Sequence, residues 1–281
     1  GGEKVKNNIL LETIDKLYET LGDDIENLTV ERVVFGLFFT GVKLSNGKGG
    51  LSYTPIKALS DAVCCPSSAA SMPAAGRLKD RNVKYFLDDM FSGSPLKKTL
   101  GIAVINALAT TCWSMGRQSD SYVIESKIDP IEKIEIGEGT YTVIVGALVP
   151  YIKTLIKNER EFAILELDPS TLKGKELDHF VSSERAHEVI PKADFMIITG
   201  TTLINDTLEG LLEQTKPDAT VIVVGPTVSM MPEAFYARNV KYVGGVEVTD
   251  PDRLLDTIGE AGSGYHFFGK SAEKIVISEN K

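Results

Sequence analysis

Thiols and imidazoles, the softer metal-ligating side chains, are few in this sequence. The thiols are Cys64, Cys65 and Cys112, and the imidazoles are His179, His187 and His266. Thiolates are soft ligands, so Cys64-Cys65 could engage a soft metal. Adjacent cysteines do not easily chelate one ion in regular geometry, however, and burial as a small apolar residue is the commoner fate of a cysteine. No C-x-x-C or H-x-x-x-H spacing occurs, and the spacing defines no Ser-His-Asp or Cys-His constellation. The expectation is that the small, Pro- and Ser-rich stretch from Ile56 to Leu78 borders a cleft, without its two thiols forming a preformed metal site. Cys112, near the end of an apolar segment, is expected to pack rather than ligate. An acid–base pair is conceivable between Asp168 or Glu166 and a group from the first part of the chain.

Thr199-Gly200-Thr201-Thr202-Leu203-Ile204-Asn205-Asp206-Thr207 is the most pointed segment. Its hydroxyls and the N–H groups of a following helix could hold an anion or a carboxylate; capping by Thr201 or Thr202 is the plainer alternative. Gly200, Thr201, Thr202 and Asn205 are therefore candidate ligand contacts, with Gly225, Pro226 and Thr227 as a floor. Asn106 is a candidate from the first half, because an amide on an apolar helix needs a partner when buried. It could equally be a satisfied core residue. Gly146-Ala147-Leu148-Val149-Pro150 lacks the second glycine of a G-x-G-x-x-G loop, which disfavours a dinucleotide. Asp168 follows roughly 20 residues later, where an acid could hold a ribose, or serve structurally before Pro169.

These residues need elements to hold them. Ile9, Leu10, Ile14, Leu17, Tyr18 and Leu21 recur at helical spacing, with Gly22 as the stop. Thr29 to Leu44 reads as β, turning at Ser45-Asn46-Gly47-Lys48 into a return strand at Gly50 to Thr54. A helix is predicted over Val83 to Met90. Another runs from Pro95 to about Trp113, capped by Ser94 and apolar nearly all round, hence buried.

Beyond about Pro130, strands and helices alternate. Strands are predicted at Thr140–Gly146, Glu161–Leu167, Asp194–Thr199, Ala219–Val224, Lys241–Val246 and Lys274–Ser278. Helices are predicted from Val149, over Ser183–Ile190, through Leu203–Leu212, near Pro232, and over Asp250–Glu260 with Thr249 as cap. Continuous apolar strands joined by helices imply an α/β unit with a parallel sheet covered on both faces. Ligands of such sheets bind at the strands' carboxyl ends. Here those ends carry Gly146, Asp168, Thr199-Gly200, Gly225 and Gly244-Gly245.

The 281 residues suit one large or two medium domains, and 43% hydrophobic with 25% charged residues is ordinary globular usage. A formal charge of −9 disfavours a nucleic-acid partner. No apolar run is long enough for a membrane span. The opening Gly1-Gly2-Glu3-Lys4 shows no signal-peptide stretch and lacks Met, which suggests a trimmed or tagged chain. An odd number of cysteines fits a reducing cytoplasm.

Several phrases together resemble one family. They are Val34-Phe35-Gly36-Leu37-Phe38-Phe39-Thr40-Gly41-Val42, Leu51-Ser52-Tyr53-Thr54, Leu100 to Leu108, the Thr199 to Thr207 segment, Val224-Gly225-Pro226-Thr227, and Gly244-Gly245-Val246-Glu247-Val248-Thr249-Asp250-Pro251. They are similar to the bacterial and archaeal heavy-metal-chelation family of unknown function. The resemblance implies an α+β domain over 1–120, similar to the enolase N-terminal domain, followed by a Rossmann-like parallel α/β domain over 121–281. It also implies a site at the domain interface and a heavy-metal ion or metal complex as the cofactor class, although the sequence offers no thiolate or imidazole cluster. The expected function is binding of a small anionic or metal-complexed ligand in an interdomain cleft by a cytoplasmic protein, with homo-oligomerisation left open. The alternative is an enzyme using a nucleotide- or S-adenosylmethionine-type ligand through Asp168 and the Gly146 turn.

Overall fold

The computed structural model describes residues 8–59 and 73–280. Cys64 and Cys65 lie outside the described residues, as does most of the Ile56–Leu78 stretch.

The first half begins with α1 (Asn8–Leu21), whose Ile9, Leu10, Leu17 and Leu21 are buried along one face. A three-stranded antiparallel sheet follows, β1 (Val30–Phe35), β2 (Phe39–Leu44) and β3 (Gly49–Tyr53), in the order β1-β2-β3. The predicted long strand is thus two strands. The chain turns at Gly36-Leu37-Phe38, closed by Gly36 N–H donating to the Phe39 carbonyl at 2.9 Å. The Asn46-Gly47 turn into β3 is where the sequence puts it. Next come α2 (Val83–Asp89) and α3 (Pro95–Ser114). The Ser94 hydroxyl caps α3 by accepting from Lys97 N at 3.3 Å, and the helix is buried without interruption from Lys98 through Cys112.

The second half is an eight-stranded sheet of β4 (Tyr122–Ser126), β5 (Tyr141–Val145), β6 (Glu161–Glu166), β7 (Phe180–Ser182), β8 (Phe195–Thr199), β9 (Thr220–Val224), β10 (Val240–Val248) and β11 (Ala272–Glu279). Its order is β4-β11-β10-β9-β8-β5-β6-β7, and neighbours from β10 to β7 are parallel. The fold is therefore mixed α/β around a mostly parallel sheet. Two corrections apply. β11 runs antiparallel to β10, and β4, which the sequence pattern does not signal, extends that edge antiparallel to β11. β7 is also absent from the sequence reading; at three residues it is too short to show periodicity.

The helices on this sheet are α4 (Val149–Lys157), α5 (Ala186–Val189), α6 (Leu208–Glu213), α7 (Glu233–Tyr236), α8 (Pro251–Gly259) and α9 (Gly264–Phe267). α6 begins later than the predicted Leu203. The Asn205 carboxamide oxygen accepts from Thr207 N and Oγ1, and Asp206 takes φ 62°, so the chain cannot stay helical through them. The cap of α8 is Asp250, accepting from Arg253 N at 3.2 Å, and not Thr249, whose N–H goes to the Ser271 carbonyl.

Strand alternation splits the sheet's side chains between two cores. Ile144, Ile164, Ile197 and Ile222 pack with Ile152 and Leu155 of α4. Val143, Val145, Met196, Ile198 and Val221 share a core with α1 and α3 of the first half. The small sheet lies between α3 and α8, with Gly41 against Leu255 and Ile258 and Gly50 against the backbone of α3. The two halves are thus joined by α8 packing on one face of the small sheet and by α1 and α3 sharing a core with the large sheet.

Candidate functional site

Taken from the far edge, the parallel strands run β7-β6-β5-β8-β9-β10. In chain order that is 3-2-1-4-5-6, the Rossmann arrangement, whose strand order reverses between β5 and β8. In open sheets of this order the loops leaving the two strands at the reversal diverge to opposite faces, and ligands bind at that carboxyl edge. Gly146 ends β5 with φ 102°, and a side-chain carbon there would lie 2.7 Å from Thr199 Cγ2 of the neighbouring strand. Only glycine suits both the left-handed backbone and that approach. Gly200, after β8, is packed just as closely, with Val228 Cγ1 2.7 Å from the place a β-carbon would take. The Thr199 hydroxyl accepts weakly from Thr201 N and lies 3.3 Å from Thr201 Oγ1.

The structure gives several of the sequence candidates internal partners. Thr202 is 2% exposed and donates its hydroxyl to the Thr199 carbonyl at 2.7 Å. Thr227 Oγ1 accepts from Tyr53 N at 3.0 Å, tying β3 to the turn after β9. Asn106 Nδ2 donates to the carbonyls of Leu51 at 2.7 Å and Thr227 at 3.0 Å, and more loosely to Pro226 at 3.4 Å. Its amide is a strut between the halves, while its buried Oδ1 has no hydrogen-bond partner. Gly225 takes φ 126° and donates to the Gly244 carbonyl, letting the chain turn into Pro226. Gly146, Thr201 and Asp168 are half-buried and Asn205 is exposed.

Two lysines of the first half reach the same edge, and the sequence reading names neither. Lys57 pairs with Asp168 beyond β6, and Lys98 of α3 pairs with Asp206 beyond β8. Asp168 follows β6 and Asp206 follows β8, the two strands that neighbour β5 in the sheet. Asp168 also accepts from Ser170 N and Oγ. Hydrogen bonding to Lys57 first, then to Ser170, holds its carboxyl down at about 2. Lys98 is different. Its side chain is 8% exposed, and burial pushes its ammonium down to about 8. The available signal was a lysine inside a helix whose other positions are apolar nearly all round.

A heavy-metal site needs several deprotonated donors around one point. Among the described residues no group of three or more His, Cys, Asp or Glu side chains is placed to hold an ion. Burial raises the Cys112 thiol to about 12, so it stays protonated and a poor ligand. Asp168 and Asp206 are each taken by a lysine. The described residues therefore do not fit a directly chelated metal ion.

The sequence profile of the DUF364 family, described as "Putative heavy-metal chelation", matches residues 129–277, more than half of the chain. The chain belongs to this family. A second profile of the same description, DUF4213, matches residues 18–109. An uncharacterised protein of Methanocaldococcus jannaschii is 28% identical over 204 residues, which are 71% of this chain and 73% of that protein. A DUF364 protein of unknown function from Pyrococcus horikoshii has a similar crystal structure, with TM-score 0.72 at 22% identity, covering 97% of this chain and all of the other. One from Desulfitobacterium hafniense gives TM-score 0.65 at 18% identity over 94% and 98% of the two chains. At these identities the two structures establish the DUF364 fold. No helix among the described residues is long and apolar enough to cross a membrane.

Proposed function

We propose that the protein binds a small anionic or metal-complexed ligand in the crevice between its two halves, which we take as domains over 1–120 and 121–281. The observation that carries this reading is the reversal of strand order between β5 and β8, with Gly146 and Gly200 packed too closely for any side chain. In this reading Gly146, Thr201, Asn205 and Asp168 meet the ligand. Gly200, Thr202, Gly225, Pro226, Thr227 and Asn106 shape its walls. A metal would arrive already complexed by an organic ligand, because the described donors do not suit a bare ion. The setting is a cytoplasmic protein acting without nucleic acid or membrane.

Calorimetric titration with transition metals, each alone and each with an organic chelator, tests the reading. Heat with the complexes and none with the bare ions is expected. No heat with any of them, for folded protein, removes the metal reading. Native mass spectrometry of freshly purified protein adds the mass of any ligand carried through purification.

A second reading, an enzyme with a nucleotide- or S-adenosylmethionine-type ligand, draws on the Rossmann order and on Asp168 after the second of its strands. Asp168→Ala then abolishes thermal stabilisation by nucleosides. An unchanged response leaves Asp168 as the partner of Lys57 only.

A further inference from the structure

Lys98 occupies an unusual position for a lysine. It lies one turn into α3, between Leu96 and Leu100, which are 4% and 1% exposed, and its own side chain is 8% exposed. An ammonium removed from water needs an anion close by. Among the described residues Lys98 pairs with Asp206, which comes from the other half of the chain, on the turn that follows β8. Asp206 is not a buried partner. Its side chain is 35% exposed, its backbone is left-handed at φ 62°, and Asn205 and Thr207 on either side are exposed.

The second lysine at this edge is a useful contrast. Lys57 is 72% exposed, and its pairing with Asp168 raises its pKa, as for a solvated surface pair. For Lys98 the balance is opposite: burial lowers the ammonium to about 8. An anion seated more deeply than Asp206 would therefore gain more at Lys98 than at Lys57. The chain as a whole carries a charge of −9, so its overall field opposes an anionic ligand and a local cation must hold one.

We propose that Lys98 is the cationic anchor for a carboxylate or phosphate group of the crevice ligand, and that Asp206 is the counter-ion this group displaces. The proposal rests on the crevice being the ligand site. It assigns the substrate class as a compact oxyanion or a molecule that carries one. Lys98 comes from the first half and Asp206 from the second, so the anion would exchange for a contact that bridges the two.

The probes are inorganic phosphate and citrate, titrated by calorimetry into the full chain and into Lys98→Met, Lys98→Arg, Asp206→Asn and Thr201→Val. Lys98→Met should weaken binding at least about tenfold, because a charge-assisted contact is lost. Lys98→Arg should keep most of the affinity. Asp206→Asn should tighten binding by about threefold or more, since the competing carboxylate is gone. These opposite signs separate an anchor from a structural ion pair. Equal weakening in Lys98→Met and Asp206→Asn, or no change in either, overturns the proposal. Should Lys98→Met fail to fold, by circular dichroism, the Asp206→Asn result decides alone. Loss of binding in Thr201→Val with Lys98→Met unaffected retains the crevice and rejects Lys98. Absence of binding by either anion to the unaltered chain rejects both.

Discussion

Asn106 offers the sharpest separation of structure from ligand binding, because its side chain joins the two halves and is 1% exposed. In Asn106→Ala the carbonyls of Leu51 and Thr227 lose their shared donor. Each lost bond contributes about 1 kcal/mol, and leaving the two carbonyls less satisfied in a buried setting adds about 1 kcal/mol or more. Removing the orphaned Oδ1 returns part of this. The expected loss is about 2–3 kcal/mol, roughly 3–6 °C in Tm for a chain of this size. Asn106→Asp should be worse at neutral pH, because a carboxylate would face carbonyl oxygens without a donor. There the folded state raises the Asp pKa above its unfolded value of about 3.9, so it binds the proton more tightly than the unfolded chain. Stability is retained below that value, where the protonated acid can still donate, and is lost as pH rises toward the folded pKa. The assay is urea unfolding followed by circular dichroism and by fluorescence of Trp113, at about pH 4.5 and about pH 7.5. Gly137→Ala, where nothing lies within 4 Å of the added carbon, is the bland control, expected within about 0.5 kcal/mol of the unaltered chain. If Asn106→Ala unfolds with the control and Asn106→Asp shows no pH dependence of its own, the amide is not a strut and the argument is wrong.

Gly50→Ala should cost about 2–3 kcal/mol, because the new methyl lies 2.5 Å from Ala107 N and presses on the Ala103 carbonyl, both helix backbone that cannot step aside; urea midpoints equal to those of Gly137→Ala would contradict this. Lys57→Ala should return Asp168 from about 2 toward the usual carboxylate range, read by NMR titration of its carboxyl carbon; since the folded value lies below the unfolded one, any stability from this pair is present above about pH 4 and lost as pH falls toward 2. Cys112, buried and with its thiol raised to about 12, should resist a thiol reagent at about pH 8 until the chain unfolds, so fast native modification at Cys112, located by peptide mapping, is the contrary result. Cys64 and Cys65 are expected to keep their reactivity when zinc or cadmium is added; protection of both thiols at stoichiometric metal would establish chelation by that pair.

Much of the architecture is legible in the sequence, because period and punctuation are local properties. The apolar spacing of Ile9 to Leu21, the Ser94-Pro95 start of α3, and the Val- and Ile-rich cores of β5, β8 and β9 identify their elements from adjacent residues alone. The strand ends follow directly, so Gly146, Asp168, Thr199, Gly200 and Gly225 could be placed at one edge of a sheet before any contact was known. What required the tertiary structure is whatever depends on a partner distant in the chain. β4 is a strand because β11 pairs with it, although the two lie at opposite ends of the second half. β1 and β2 are separate because Gly36 turns beside Ile258 of α8. Thr227, Asn106 and Thr202 are polar residues whose hydrogen bonds go to the fold itself, and composition cannot distinguish such a residue from one that meets a ligand. Lys98 and Asp206 are 108 residues apart. In the sequence they are a helix lysine and a turn aspartate, and only the packing of α3 against the loop after β8 buries the one and sets the other beside it.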